Sequence, residues 1–455
     1  MCGMRLIERK RVIAHQIVGY DLFPLTFLIL IPVLLTLVCF GSSSASESNP
    51  WYKTLSPEWG GHIRGRGTGS WPDEETVQGA SGPAPYYDGI ADIRIKNKVS
   101  FGHWGYFDTH YEAVLWGGDS WRTTRALEEL SPGLVNLFGA APDDSTSFMD
   151  LTWTDANDDH LFYHRIDRLV LTVQPEWGVF RIGRQALTWG NGLIFNPMDL
   201  FNPFEPTDIL RDYKVGEDMV TADFTLGETG GLQLVYVPRR NPTSDDLTWD
   251  QSSLGAKWHF ALGTTELDVM AARNYEDDVI GLGSTGYLGD AAWRMDATWT
   301  FLDDQSRDDG FLSLVANIDY SWVWFRKNMY GLLEFYFNGL GADDYGQAYS
   351  NPDILIRLIR GEMFTIGRTY LGGEVQMELH PLFSIYLSVI NNMADPSGLW
   401  QPRAVWDMTG DLQMTFGGSV YYGASGTEYG GFELDDTRVV TKPANSAFVW
   451  LTYFF

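Results

Sequence analysis

Cysteine is almost missing from this chain of 455 residues: there are two, Cys2 and Cys39, both near the N-terminus. Everything after position 39 therefore lacks a disulfide framework and any thiolate that would hold a metal or attack a substrate. Basic residues are scarce, 32 Lys and Arg against 59 Asp and Glu, and the net charge of -27 makes nucleic acid a poor partner. Long hydrophobic runs are limited to one, Leu22 to Phe40, and a mean hydropathy of -0.16 is not that of a helical membrane protein. From Trp59 onward no helical periodicity is sustained. There is no Cys-x-x-Cys-His, so any haem would belong to a partner, and no motif asks for a cofactor. None of His62, His103, His110, His160, His164, His259 and His380 joins a recognisable nucleophile motif, so no enzyme reaction is expected.

The one apolar run follows Arg5, Arg9, Lys10 and Arg11 and ends at Ser-Ser-Ser-Ala-Ser. Small residues after the run and Pro24 and Pro32 within it fit an export signal, cleaved after Ala45, better than an uncleaved anchor. Cys39 lies between Val38 and Phe40, where a lipoprotein signal has a small residue before its cysteine. The domain reading is residues 1–45 as signal peptide, 46–58 as a short periplasmic segment and 59–455 as one barrel.

Aromatics and glycine are abundant instead: Trp 18, Tyr 22, Phe 26 and Gly 48. Segments of about ten residues alternate polar with apolar, the period of a strand with two different solvents. In 88–101, Asp92, Arg94, Lys96 and Lys98 alternate with Ile93, Ile95 and Val99; in 289–301, Asp290, Arg294 and Asp296 oppose Trp293, Met295, Trp299 and Phe301. Strands are expected at 59–70, 88–101, 105–116, 164–173, 177–185, 217–226, 230–238, 252–262, 264–273, 276–285, 289–301, 311–323, 329–339, 368–378, 383–392, 402–408, 410–422 and 446–455. The least regular are 276–285 and 402–408. Connections largely alternate short (102–105, 174–177, 227–230, 380–382) with long (117–163, 186–216, 340–367, 423–445). Short turns on one side and long loops on the other predict an all-β fold, a transmembrane antiparallel barrel of about eighteen strands, with sixteen the other count. The last ten residues, Ser-Ala-Phe-Val-Trp-Leu-Thr-Tyr-Phe-Phe, resemble the closing strand of Gram-negative outer-membrane barrels. That resemblance implies recognition of the terminal Phe455 by the barrel assembly machinery.

The stretch Phe-Arg-Ile-Gly-Arg-Gln at 180–185 sets two arginines at opposite parity. A midplane Arg facing lipid costs on the order of 2 to 4 kcal/mol, so Arg181 is expected inside, and Gly183 is expected to form a bulge that re-aims Arg184. Beyond it, Asn196-Pro197, Asn202-Pro203 and Glu205-Pro206 break the ladder, and 186–216 is too apolar to dangle in water. It either folds into the mouth and narrows the pore or caps the rim. Arg181, Arg184, Gln185, Trp189, Asn191 and Arg211 are the expected constriction. The run Arg181-x-Gly183-Arg184-Gln185-x-x-x-Trp189-Gly190, followed by Asn196-Pro197-x-Asp199, resembles a pattern in outer-membrane barrels of the porin and alginate-export type. The resemblance covers about thirty residues. It implies a cationic lumen for a polyanion, whereas this chain is acidic overall.

Lumen charges are expected at Arg94, Lys96, Lys98, Asp108, Glu112 and Glu374, either as a transverse field or as neutralising pairs such as Lys96 with Glu112. The segment 155–164 is the one metal candidate, through Asp155, Asn157, Asp159, His160 and His164, but it lacks the glycine and terminal Glu of a calcium loop; the primary expectation is no metal. Gly-Leu-Gly-Ser-Thr-Gly at 281–286 precedes a strand, not a helix, which excludes a dinucleotide loop. Residues 351–361 predict a short helix with an Asn cap, Arg357 and Arg360 sharing a face. The expected function is a porin-like outer-membrane channel for small polar or charged solutes, in contact with lipid and lipopolysaccharide. The alternatives are a sheath for a partner electron carrier and a barrel hydrolase.

Overall fold

The computed structural model describes residues 55–82, 84–130, 142, 144–206, 213–302, 309–434 and 439–455. The expectations for residues 1–54 lie outside them, as does Arg211. In chain order the strands are β1 (Leu55–Trp71), β2 (Tyr86–Phe101), β3 (Gly105–Gly118), β4 (Thr152–Ala156), β5 (His160–Val173), β6 (Gly178–Gln185), β7 (Glu217–Leu226) and β8 (Gly230–Val237). They continue as β9 (Ser253–Leu262), β10 (Thr265–Asn274), β11 (Asp277–Leu288), β12 (Ala291–Phe301), β13 (Gly310–Trp324), β14 (Lys327–Asn338), β15 (Thr369–His380), β16 (Phe383–Asn392), β17 (Gly398–Asp407) and β18 (Leu412–Tyr422). A two-strand flap, β19 (Phe432–Glu433) with β20 (Val440–Thr441), precedes the last strand, β21 (Asn445–Phe454).

Every neighbouring pair in the main sheet is antiparallel, and the last strand returns to the first: His62 lies opposite Phe454 and Trp71 opposite Asn445. Phe455 and Gly61 exchange backbone hydrogen bonds of 3.1 and 2.9 Å at the end of that seam. With the flap and the short β4 set aside, eighteen strands form one closed wall, in which every strand has a neighbour on both sides.

The wall inverts the usual rule for a soluble protein. On β11 to β16 one parity presents Leu282, Met295, Leu333, Val375 and Leu387 outward, each at least about a third exposed, while Asp296, Asn317 and Glu334 of the other parity are buried. Apolar outside and polar inside is the pattern of a barrel whose exterior meets hydrocarbon. Among the described residues no helix is long and apolar enough to cross a membrane.

Turns of two to four residues join the strands at one end, as at 102–104 and 227–229, and the longer connections gather at the other. The pair β10 and β11 is the exception, joined at the long-loop end by two residues, with Tyr275 at φ 56°. At that end α1 (Val77–Ser81), α2 (Asp119–Leu130), α3 (Tyr345–Ala348) and α4 (Pro352–Ile359) ride on the loops. In α4 the Asn351 side chain caps Asp353 N–H and the chain leaves through Gly361 at φ +66°, as the sequence predicts.

Two local features differ from expectation. The pairing of β6 with both neighbours runs unbroken through Gly183, so no bulge occurs there and Arg184 keeps the parity of Ile182. The extra residue sits in β5 instead: His110 faces Arg168 and Tyr111 faces Ile166, which leaves Asp167 without a partner. That bulge lets Arg165, Asp167 and Arg168 share the interior. Gly183 is still required as glycine, because its φ is +122° and a Cβ would lie 2.0 Å from the Leu169 carbonyl oxygen.

Candidate functional site

The chain leaves β6 after Gln185, and residues 189–201 lie against the inward parity of the wall from β8 to β17. Trp189 comes first. It is 1% exposed, packs edge-on against Phe201 at 5.1 Å and forms a core with Met198, Met219, Val235 and Met270. Its indole N–H donates to Gln233, whose amide donates to Asp223, which in turn binds Arg181. Arg181 thus reaches the segment through two side chains.

Asn191 follows at β12 and β13. Its backbone N–H and side-chain amide donate to the Asp296 carboxylate at 2.5 and 2.8 Å, and Asn317 donates to its carbonyl at 3.3 Å. Beyond Gly192, three consecutive amides, of Leu193, Ile194 and Phe195, all point at Glu334 on β14. Phe195 stacks on Tyr336 at 4.4 Å and closes a cluster with Tyr370, Ile390 and Leu399 on β14 to β17. The wall is hollowed to receive these groups: a Cβ at Gly255 would meet the Trp189 ring at 2.9 Å, and one at Gly372 would meet Ile194 Cδ1 at 2.7 Å.

The two ends of the segment are tied together. Lys214 Nζ binds Asp199 at 2.5 Å and also donates to the Leu187 carbonyl. Burial outweighs the lysine and pushes the Asp199 carboxyl up to about 6, and the same burial pulls the Lys214 ammonium below its ordinary value. Tyr213 on the return arm donates to Glu112 at 2.8 Å and lies under the Arg94 guanidinium at 3.7 Å.

Arg184 and Gln185 stand apart from this path. Arg184 is 2% exposed at the loop-side end of the wall, paired with Asp218 at 2.8 Å and Asp144 at 3.0 Å and donating to the Met149 carbonyl. Those acids neutralise a cation on the outward parity, which is why no bulge has to turn it inside. Gln185 donates to the Met219 carbonyl at 3.2 Å.

Across the interior from residues 189–201, β1 to β5 carry the basic strip, which Tyr213 touches. Arg94 faces Glu112 in the ladder and also binds Asp167; Arg165 binds Glu112 at 2.6 Å and Arg168 binds Asp167 at 2.7 Å. The expected Lys96 with Glu112 pair does not form, because the register sets Lys96 opposite His110. Lys98 lies over the Tyr106 ring at 4.3 Å, Asp108 meets His110 at 3.2 Å, and Glu374 accepts from Ser388 at 2.6 Å with Arg403 at 3.9 Å. Local neutralisation therefore accounts for most of these charges.

The metal candidate forms a hairpin turn. Asn157 Oδ1 accepts from Asp159 and His160 N–H, and His164 packs on Trp153 at 5.1 Å. Among the described residues no three His, Cys, Asp or Glu gather closely enough to share an ion. Arg357 binds Asp277, and Arg360 lies over Tyr275 at 3.8 Å, so both helix arginines are taken up at the loop-side ends of β10 and β11. Glu334 is not among the residues expected from the sequence; a lone acid in the aromatic run Leu-Leu-Glu-Phe-Tyr-Phe is the signal that marks it.

A closed antiparallel wall of eighteen strands, with apolar outward and polar inward parity, defines the class as a membrane-barrel fold. In fold the chain is similar to Acinetobacter baumannii OccAB2, with a TM-score of 0.50 and 9% identity over 88% of this chain and 98% of that one. A BenF-like porin from Pseudomonas fluorescens Pf-5 aligns with a TM-score of 0.46 and 10% identity over 88% and 98%. No protein-family model and no curated protein matches the chain.

Proposed function

We propose that this protein is an outer-membrane channel through which small polar or charged solutes diffuse, with segment 186–216 as its constriction. The observation that carries the reading is the seating of Trp189 to Phe201 on inward residues of β8 to β17, because an apolar segment placed there narrows a water-filled interior. Its return arm reaches the strip of β1 to β5 at Tyr213, which touches Glu112 and Arg94, so on this reading the segment bridges the interior and solutes pass beside it. Arg181, Trp189 and Asn191 belong to this constriction on their contacts; Arg184 and Gln185 support its base. The run from Arg181 to Gly190 that resembles the porin and alginate-export pattern is, on this reading, the base and first anchor of the constriction.

A sheath around a partner protein needs a free lumen, so a segment occupying it favours the channel. The outward apolar band supports a place among outer-membrane lipid and lipopolysaccharide, reached by export and by assembly through Phe455. Deleting residues 190–208 tests the proposal: single-channel conductance in planar bilayers is expected to rise. Unchanged conductance in a folded deletion variant would reject the constriction.

A further inference from the structure

Glu334 meets the crossing segment through three of its backbone amides. It is fully buried, on the inward parity of β14 between the outward Leu333 and Phe335. Its Oε1 accepts from Ile194 N–H at 3.0 Å and Phe195 N–H at 2.6 Å, and its Oε2 from Leu193 N–H at 2.7 Å and Asn317 Nδ2 at 3.1 Å. Four donors match the four lone-pair sites of a carboxylate. Three of them are consecutive backbone amides, the arrangement by which a turn of chain wraps an anion.

Here the anion is fixed to the wall and the chain wraps it. Those amides have no strand partner, and burying them without an acceptor is costly, so one side chain decides whether residues 193–195 rest on the wall. Asp296 repeats the device two strands away for Asn191, and Asn317 joins the two by donating to both Glu334 and the Asn191 carbonyl. Asn317 thus links Glu334 to Asn191, the residue that Asp296 holds.

We infer that Glu334 is the positioning residue of the constriction: its carboxylate holds residues 193–195 on the far wall and thereby sets the width of the passage. The inference rests on the proposed role of segment 186–216. It assigns to one inward side chain, outside the loop, control over conductance.

The test is E334Q in the full-length barrel, reconstituted and studied by amide hydrogen exchange and planar-bilayer recording. Glutamine keeps the shape but presents an NH2 group to amides that need an acceptor. Exchange at residues 193–195 is expected to speed up roughly tenfold or more, the factor that about 1.4 kcal/mol produces. Conductance is expected to rise toward that of the 190–208 deletion, and E334Q added to the deletion is expected to change nothing further. Wild-type exchange and wild-type conductance in folded E334Q would overturn the inference. If E334Q does not fold, E334D decides in its place: its shorter carboxylate is expected to speed exchange at residues 193–195, and wild-type protection there with wild-type conductance would overturn the inference. A deletion that leaves conductance unchanged defeats the constriction itself, whereas a deletion that raises it beside a silent E334Q defeats only the role of Glu334.

Discussion

Trp189→Ala is the sharpest perturbation of the crossing segment. The indole is 1% exposed and fills the recess over Gly255, so its removal leaves a hole among Met198, Phe201, Val235 and Met270 that the rigid wall cannot close. Truncating a buried Trp costs about 3 to 5 kcal/mol, and the stranded Gln233 acceptor adds on the order of 1 kcal/mol. Trp189 takes no part in the strand ladders, so this cost falls on the seating of the segment and not on closure of the wall. About 4 kcal/mol shifts the seated population roughly a thousandfold. The variant is expected to keep the heat-sensitive electrophoretic mobility of a folded barrel, to be cleaved by added protease within 186–206, and to conduct more with frequent transitions. A folded variant with wild-type conductance and wild-type protease resistance would refute the reasoning.

Two further outcomes follow from the same geometry. Gly372→Val puts a branched side chain where Ile194 Cδ1 already stands 2.7 Å from a Cβ, so it is expected to unseat residues 193–195 without harming the strand, read as faster amide exchange there. Asp199 binds a proton more readily when seated, its carboxyl being raised to about 6 from 3.8, so the seated state gains protons between those values. Its contribution is complete below about 4 and is lost as pH rises through 6; segment protection should therefore be greater at pH 5 than at pH 7, and D199N should abolish that difference.

The wall was largely legible because each strand must satisfy two solvents, and that demand is written residue by residue. The expectation at 402–408 was blurred by Pro402, which cannot donate to the ladder: β17 and β18 pair at Trp400 and again at Arg403 but not between. The expectation at 276–285 was blurred by Gly281 and Gly283, whose missing side chains make room for Met198 and Asn191. The path of 186–216 was not legible, because it depends on partners such as Glu334 that lie more than a hundred residues away in sequence. Gly183 marks a positive φ and not an extra residue: both ladders of β6 run unbroken, and the bulge at Asp167 belongs to the pairing of β5 with β3, on which residues 180–185 carry no signal.

A barrel in lipid requires the two faces of the wall to meet different solvents. Val375 and Gln376 are neighbours on β15, Val375 on the outward parity and 46% exposed, Gln376 inward beside Tyr386. Residues 40–455 contain no cysteine, so Val375→Cys and Gln376→Cys each place a single thiol in the barrel. In liposomes, a fluorophore at position 375 should be quenched by brominated lipid chains and one at 376 should not, while a membrane-impermeant thiol reagent should modify 376 and spare 375. Equal quenching and equal labelling at the two positions would contradict the barrel in lipid.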